Sequence, residues 1–247
     1  MAEYDKLAQH YLERRKDKSR FDYNRDIEVP ALIKLIGDVK NKVILDMGCG
    51  FGDHAEKLSL QKYKKLIGFD ISKELVKFAN QQKIPNSAFY IGDMGKRLKH
   101  ENSYFDVVYS SLAIHYIKNI GKLFKEVHRV LKKNGIFCFS TGHPIFNLIN
   151  QNEEHIIGFK KKSNEKRIIF GNYFDESPKP NNLGSLGKVE LCNFTYETLI
   201  KAGIDNGFEL IDYKDAEPIK ISKKYYPEKY RLTTTLPTFI LFKFKKK

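Results

Sequence analysis

The residues whose chemistry is easiest to read stand at 43–53: Val-Ile-Leu-Asp-Met-Gly-Cys-Gly-Phe-Gly-Asp. Val43, Ile44 and Leu45 are a short apolar run of the kind that makes a buried strand. Gly48, Gly50 and Gly52 follow at once, and a helix is predicted from Asp53 to Leu60. A strand, a glycine turn and a helix start leave backbone N–H groups free to converge on an anionic group, a phosphate or a carboxylate. A second apolar run, Leu66-Ile67-Gly68-Phe69, ends at Asp70, 24 residues beyond Asp46. An acid at that strand end can accept hydrogen bonds from two ribose hydroxyls.

The glycine spacing separates the candidate ligands. A nicotinamide dinucleotide site needs Gly-x-Gly-x-x-Gly, and here Asp53 stands in the third glycine's place. The run Asp46-Met47-Gly48-Cys49-Gly50-Phe51-Gly52 instead resembles the first motif of class I S-adenosylmethionine (SAM) dependent methyltransferases. The resemblance implies SAM as cofactor and S-adenosylhomocysteine as its product. It also implies that the turn, Cys49 included, approaches the methionine part of SAM, and that Asp70, beside Ile71, holds the ribose. Further along, Tyr90-Ile91-Gly92-Asp93-Met94 ends a third strand. By the same resemblance Asp93 accepts from the adenine amino group and Met94 packs on the ring. A fourth strand, Tyr104 to Ser110, runs into Ser111-Leu112-Ala113-Ile114-His115-Tyr116. The family places that strand end beside the sulfonium, which adds Ser110, Ser111 and His115 to the implied cofactor contacts. Leu131-Lys132-Lys133-Asn134-Gly135-Ile136-Phe137 resembles the family's Lys-Pro-Gly-Gly passage but departs from it at two of those four places. The resemblance is strong over 40–142. It is looser beyond, where Thr195–Phe208 and Pro237–Phe244 look like a last helix and a final hairpin.

Elements that position these residues follow from apolar periodicity. Strands are predicted at 42–46, 65–69, 87–91, 105–110, 135–141, 208–213 and 238–244, alternating with helices. The expected fold is α/β and Rossmann-like: a seven-stranded, mostly parallel sheet with an antiparallel last strand and helices on both faces. Ser72 is placed to cap a helix over 73–82, with Ile71 and Val76 as a hydrophobic staple. Ile117, Ile120, Leu123, Phe124, Val127 and Leu131 mark an amphipathic helix ending before Asn134-Gly135. Thr195 caps a helix to about Asn206, stapled by Phe194 and Leu199. The chain reads as one domain: a lid segment at 1–29, a cofactor-binding core at 40–142, an insertion or substrate cap at 144–193, and a terminal helix and strand hairpin at 194–247. A polar excursion as long as 144–193 is usually functional or mobile.

Methyl transfer from a sulfonium is an in-line displacement that gains most from alignment and desolvation. A hydroxyl acceptor needs a proton acceptor more strongly than a neutral amine does. Candidate bases therefore belong at the carboxyl ends of strands four and five: His115, and His143 in Ser140-Thr141-Gly142-His143-Pro144. Pro144 keeps His143 out of helix and extended. Tyr116, His143 and Tyr173 are candidate substrate contacts, the last in Asn172-Tyr173-Phe174-Asp175-Glu176, which also suits a loop anchor. Tyr11 resembles the tyrosine with which the family's N-terminal helix covers the cofactor. Asn24 and Arg25 are placed either to reach the pocket or, for Arg25, to pair with an acid. The absence of Asn/Asp-Pro-Pro-Tyr/Phe after the fourth strand argues against adenine-N6 and glutamine-amide acceptors. No metal-ligand cluster stands out, so no metal is expected.

Composition bounds the rest. The 247 residues suffice for one sizeable α/β domain. Cys49, Cys138 and Cys192 are too scattered for a disulfide framework, and a reduced cytoplasm fits best. The polar start Met-Ala-Glu-Tyr-Asp-Lys and the lack of a long apolar run predict neither signal peptide nor membrane span. The net charge of +14 invites a nucleic-acid reading, yet only 8 of the 44 basic residues are Arg, the better reader of phosphates and bases. A small-molecule acceptor is favoured, with oligomeric state open. The alternatives are a tRNA or rRNA methyltransferase using the basic, tyrosine-rich 220–231, and a non-catalytic SAM-binding partner subunit.

Overall fold

The computed structural model describes residues 3–17, 19–149, 158–161, 167–170, 172–182 and 188–247. Its central strands are β1 (Val43–Met47), β2 (Lys65–Asp70), β3 (Ser87–Ile91), β4 (Phe105–Ser110) and β5 (Leu131–Gly142). Two short hairpins follow, β6 (Gly158–Lys161) with β7 (Arg167–Phe170), and β8 (Lys179–Asn182) with β9 (Lys188–Leu191). The chain closes with β10 (Phe208–Asp215) and β11 (Phe239–Lys246). One seven-stranded sheet has the order β10-β11-β5-β4-β1-β2-β3. β11 runs antiparallel to both of its neighbours, and the other pairings are parallel. The seven predicted strands and the antiparallel last strand are all present.

Helices cover both faces: α1 (Glu3–Lys16), α2 (Val29–Ile36), α3 (Asp53–Ser59), α4 (Lys73–Gln81), α5 (Ile120–Val130), α6 (Pro144–Ile149), α7 (Tyr196–Ile204), α8 (Ser222–Tyr225) and α9 (Pro227–Thr235). Strands buried on both sides must be apolar along their whole length, which is why β1 and β4 were legible as continuous runs. One core packs Phe124, Phe137, Phe139, Phe208, Phe242 and Phe244 under α5 and α7. The other packs Leu32, Leu35, Ile44, Leu58 and Leu66 under α2 and α3. A Cβ on Gly203 would sit 2.2 Å from Phe244 Cε1, so only glycine lets α7 approach β11 so closely.

Several expectations need correction. β5 starts at Leu131, not 135, because Asn134 takes a left-handed conformation (φ 61°) and the strand re-registers between Phe105 and Val107 of β4. α5 starts later than its periodicity suggested, because the Asn119 side chain accepts from Lys122 N–H at 3.0 Å. The Ile71 staple does not form; Ile71 is 55% exposed. The Ser72 and Thr195 caps do form, accepting from Leu75 N–H and Thr198 N–H. The hairpins of the insertion and the α8–α9 pair between β10 and β11 were not predicted: their polar sequences carry no period to read.

Candidate cofactor and acceptor site

The turn after β1 is built by glycines in conformations other residues avoid. Gly48, Gly50 and Gly52 have φ of 76°, 54° and 90°, and the αL region is nearly free of cost only to glycine. Gly48 and Cys49 donate to the Phe69 carbonyl at 2.8 and 2.9 Å, pinning the turn to the end of β2. Gly50 N–H donates to Asp70 Oδ2 at 2.9 Å, and Ser72 N–H donates to Oδ1 at 2.9 Å. Each Asp70 oxygen keeps a further lone pair for an incoming donor. A Cβ on Gly50 would meet nothing within 4 Å, so the turn faces open space there. Cys49 is buried, and burial pushes its thiol well above the ordinary range.

Asp46 lies inside the protein, 2% exposed, and its Oδ2 accepts from the Tyr109 hydroxyl at 2.7 Å. Burial pushes its pKa up to about 7 against that hydrogen bond. Asp93 accepts from Gly95 N–H at 2.8 Å, a turn cap, and its other oxygen is 3.7 Å from Lys96 Nζ. Met94 reaches the turn: a Cβ on Gly48 would meet its Cε at 3.0 Å.

At the end of β4 both serine hydroxyls have protein partners. Ser110 Oγ donates to the Met47 carbonyl at 2.8 Å, and Ser111 Oγ to Glu28 Oε1 at 2.9 Å. Leu112 follows in the left-handed region at φ 46°, a conformation that costs a non-glycine residue ~1–3 kcal/mol and collects at functional sites. Ser140 Oγ holds it, accepting from Leu112 N–H at 3.0 Å while donating to Glu28 Oε1 at 2.6 Å. Glu28 is fully buried at the end of a single π-helical turn, Asn24–Glu28, and its Oε2 meets His54 Nε2 at 3.2 Å. Burial opposes both charges, yet the pair wins: Glu28 is held below its ordinary pKa and His54 above.

His115 is buried, with Nδ1 3.1 Å from Thr141 Oγ1 and its ring edge-on to Tyr116 at 4.5 Å. Burial lowers its pKa to about 4, so it is neutral at neutral pH. His143 has a different set of partners. Its Nε2 is 2.8 Å from the Tyr196 hydroxyl and 3.4 Å from Asp215 Oδ1. Burial lowers its pKa, against the pull of Asp215. Tyr173 lies against the same helix, its hydroxyl accepting from Tyr196 N–H at 3.1 Å. Glu176 completes that anchor, accepting from Thr195 N–H at 2.6 Å. Arg25 does not reach the pocket; it pairs with Asp26 at 2.7 Å and donates to the carbonyls of Asp17 and Arg20. The side chain of Tyr11 lies outside the described residues, although its backbone belongs to α1.

A surface depression lined by residues 97–102 and Arg129 lies at the opposite, amino end of the strands, away from the crevice where open α/β sheets bind ligands. Arg129 is committed there to Glu126 and to the Leu98 and His100 carbonyls. No helix of the described residues is long and apolar enough to cross a membrane.

Residues 45–139 match a family described as "Methyltransferase domain". A SAM-dependent methyltransferase structure from Mesorhizobium loti superposes with a TM-score of 0.71 at 26% identity, covering 88% of this chain and 96% of that one. Over this core the chain is similar to SAM-dependent methyltransferases. An uncharacterized protein of Haemophilus influenzae is 26% identical over 98% of this chain and 96% of its own length. Other relatives are matched only in part. The chain spans 42% of a malonyl-[acyl-carrier protein] O-methyltransferase of Hamiltonella defensa, at 30% identity. It spans 36% of the Homo sapiens arginine-hydroxylase NDUFAF5, at 25% identity. The solved structures it resembles are SAM-dependent methyltransferases, so SAM is the cofactor that the fold implies. Sequence reasoning missed Glu28, His54, Tyr196 and Asp215. His54 alone carried a local sign, its place in the first turn of the helix after the glycines.

Proposed function

We propose that the protein transfers the methyl group of SAM to a small-molecule acceptor held over the carboxyl ends of β4 and β5. The observation that carries this reading is the Asp70 carboxylate, fixed by Gly50 and Ser72 N–H groups beside a glycine turn that faces open space. In this reading Gly48, Cys49, Gly50 and Gly52 receive the methionine part, with Asp46 supporting the turn from below. Asp70 takes the ribose hydroxyls, and the exposed Ile71, Asp93 and Met94 receive the adenine. Ser110, Ser111 and His115 form the wall near the reacting methyl, and α1, with Tyr11, covers the cofactor. Bound SAM supplies an electrophilic methyl carbon, whose bond to sulfur breaks as the acceptor attacks. The chain's own residues align the acceptor, exclude water and take up its proton. His143 and His115 are both neutral at neutral pH, as a base must be, and Tyr116 and Tyr173 line the acceptor side.

Thermal unfolding with SAM, S-adenosylhomocysteine and NAD tests the reading. A ligand at 100 times its dissociation constant adds about 2.7 kcal/mol. Both adenosyl ligands are expected to raise the melting temperature of the wild type but not of Asp70→Ala, and NAD is expected to do nothing. One relative is named as a hydroxylase, so release of S-adenosylhomocysteine during turnover is the readout that separates methyl transfer from other SAM-site chemistry. Lys223, Lys224, Tyr225, Lys229 and Arg231 are exposed on α8 and α9. That patch is what a second reading, an RNA acceptor, rests on, and a strongly salt-dependent tRNA affinity would favour it.

A further inference from the structure

Leu112 holds a conformation that its own sequence does not favour. Among the described residues, seven other than glycine have positive φ; six are Asn, Lys or Ser, and the seventh is Leu112 at φ 46°. A bulky apolar residue has no local hydrogen bond to gain in the left-handed region. Core packing does not force it there either: Leu112 is partly buried and belongs to neither apolar core.

Its neighbours show what the turn achieves. Tyr109 donates to Asp46, Ser110 donates to the Met47 carbonyl, and a Cβ on Gly48 would sit 2.6 Å from the Cβ of Ala113. The chain thus follows the start of the glycine turn step by step, except at 111 and 112. There it bonds instead to Glu28 and Ser140. The left-handed residue brings it back, seats Ala113 on Gly48 and starts the single helical turn, Ile114–Tyr116, that carries His115.

A brace of hydrogen bonds runs from Leu112 to one carboxylate. Leu112 N–H is shared between the Ser140 carbonyl at 3.2 Å and Ser140 Oγ at 3.0 Å. A serine hydroxyl has one hydrogen. Ser140 gives it to Glu28 Oε1 at 2.6 Å, which leaves its lone pairs for Leu112. Ser111 Oγ donates to the same oxygen at 2.9 Å, and Oε2 meets His54, the second residue of α3, at 3.2 Å. Glu28 itself is 0% exposed. One carboxylate therefore grips the helix after the glycine turn and the end of β4 at once. We propose that Glu28 is a positioning residue for methyl transfer: through Ser140 it keeps Leu112 left-handed, which seats Ala113 on the glycine turn and aims the turn carrying His115. This role rests on the methyltransferase reading above. It gives the lid segment, which ends at residues 28 and 29, a part in shaping the site and not only in covering it.

Titration calorimetry with S-adenosylhomocysteine, together with the carbon-13 backbone signals of Leu112, tests this role in the full-length protein. Ser140→Ala removes the brace and leaves the contact between Glu28 and His54 intact. It should weaken binding about 5-fold or more, the weight of one left-handed residue, and move the Leu112 signals out of the left-handed range. Glu28→Gln should bind within about 3-fold of the wild type, because its amide oxygen accepts from both serines and its NH2 group donates to His54. Adding Leu112→Gly to Ser140→Ala should restore most of the lost affinity, since glycine takes that conformation unaided. A residue that served stability alone would leave binding by the folded Ser140→Ala protein unchanged, and that result overturns the proposal. So do left-handed Leu112 signals in Ser140→Ala, or a loss in Glu28→Gln as large as that in Ser140→Ala. If S-adenosylhomocysteine fails to bind the wild type, the methyltransferase reading falls and takes this role with it. A failure confined to the variants' expected pattern spares that reading.

Discussion

Asp46 and Asp70 end adjacent parallel strands but meet opposite surroundings. Asp70 faces the crevice and takes two backbone N–H groups. Asp46 is enclosed, with the Tyr109 hydroxyl as its donor, and burial pushes it up to about 7. The folded protein therefore holds a proton on Asp46 that the unfolded chain would release. A raised carboxyl pKa stabilises at low pH, and that contribution is lost as pH rises from about 4 through 7. Asp46→Asn removes the linkage. Melting temperatures of the two proteins, compared between about pH 5 and pH 8, should show the wild type losing ground to the variant as pH rises; parallel curves would refute the raised value. The acids at the strand ends were legible because the glycine pattern frames them locally. Their opposite surroundings were not, since Tyr109 reaches Asp46 from a strand 63 residues away in sequence.

At the scale of elements, Glu28 joins parts of the chain that share no local sequence. It closes a π-helical turn before α2 and binds His54 of α3, Ser111 after β4 and Ser140 of β5. The His54 contribution, its pKa being raised, is fully present below the unfolded value of about 6.5 and lost as pH rises through the folded one. The Glu28 contribution is present above the unfolded value of about 4.5 and lost as pH falls through the folded one. The pair is therefore strongest in the mildly acidic range between. Removing one member of a buried pair strands the other, at a cost of about 3–5 kcal/mol. Glu28→Ala should lower the unfolding free energy from urea titration by that amount near pH 6, and a loss under about 1 kcal/mol would show that the cluster relaxes or takes in water. Caps such as Ser72 and Thr195 were readable because they act within four residues. The hairpins of 144–193 were not, since each pairs only with itself and neither joins the main sheet whose burial makes a strand apolar.

At the scale of the whole molecule, the chain carries a net charge of +14. The surplus of lysine includes a cluster on α8 and α9, where Lys224 lies 5.6 Å from the Tyr225 ring centroid, and much of this charge sits on exposed faces. The seven strands were legible because burial on both sides writes itself into the sequence, whereas the side-chain pairs that finish the site join residues 26 to 112 positions apart.

The helix α1 is fastened at both ends. Asp5 accepts from Ser72 Oγ at 2.7 Å and Glu74 N–H at 3.3 Å, while Arg15 meets Asp53 at 2.5 Å and also pairs with Asp22. The anchors sit on the first turns of α4 and α3, the two helices that start just beyond Asp70 and the glycine turn. Ten helical residues between them span about 15 Å, so α1 is a bar across the doorway. A bar held at both ends slows traffic in both directions without changing what the room holds. Asp5→Ala is expected to speed association and dissociation of S-adenosylhomocysteine in stopped-flow mixing by similar factors, with the equilibrium affinity nearly constant. A change confined to dissociation would make Asp5 part of the binding surface, not of its latch.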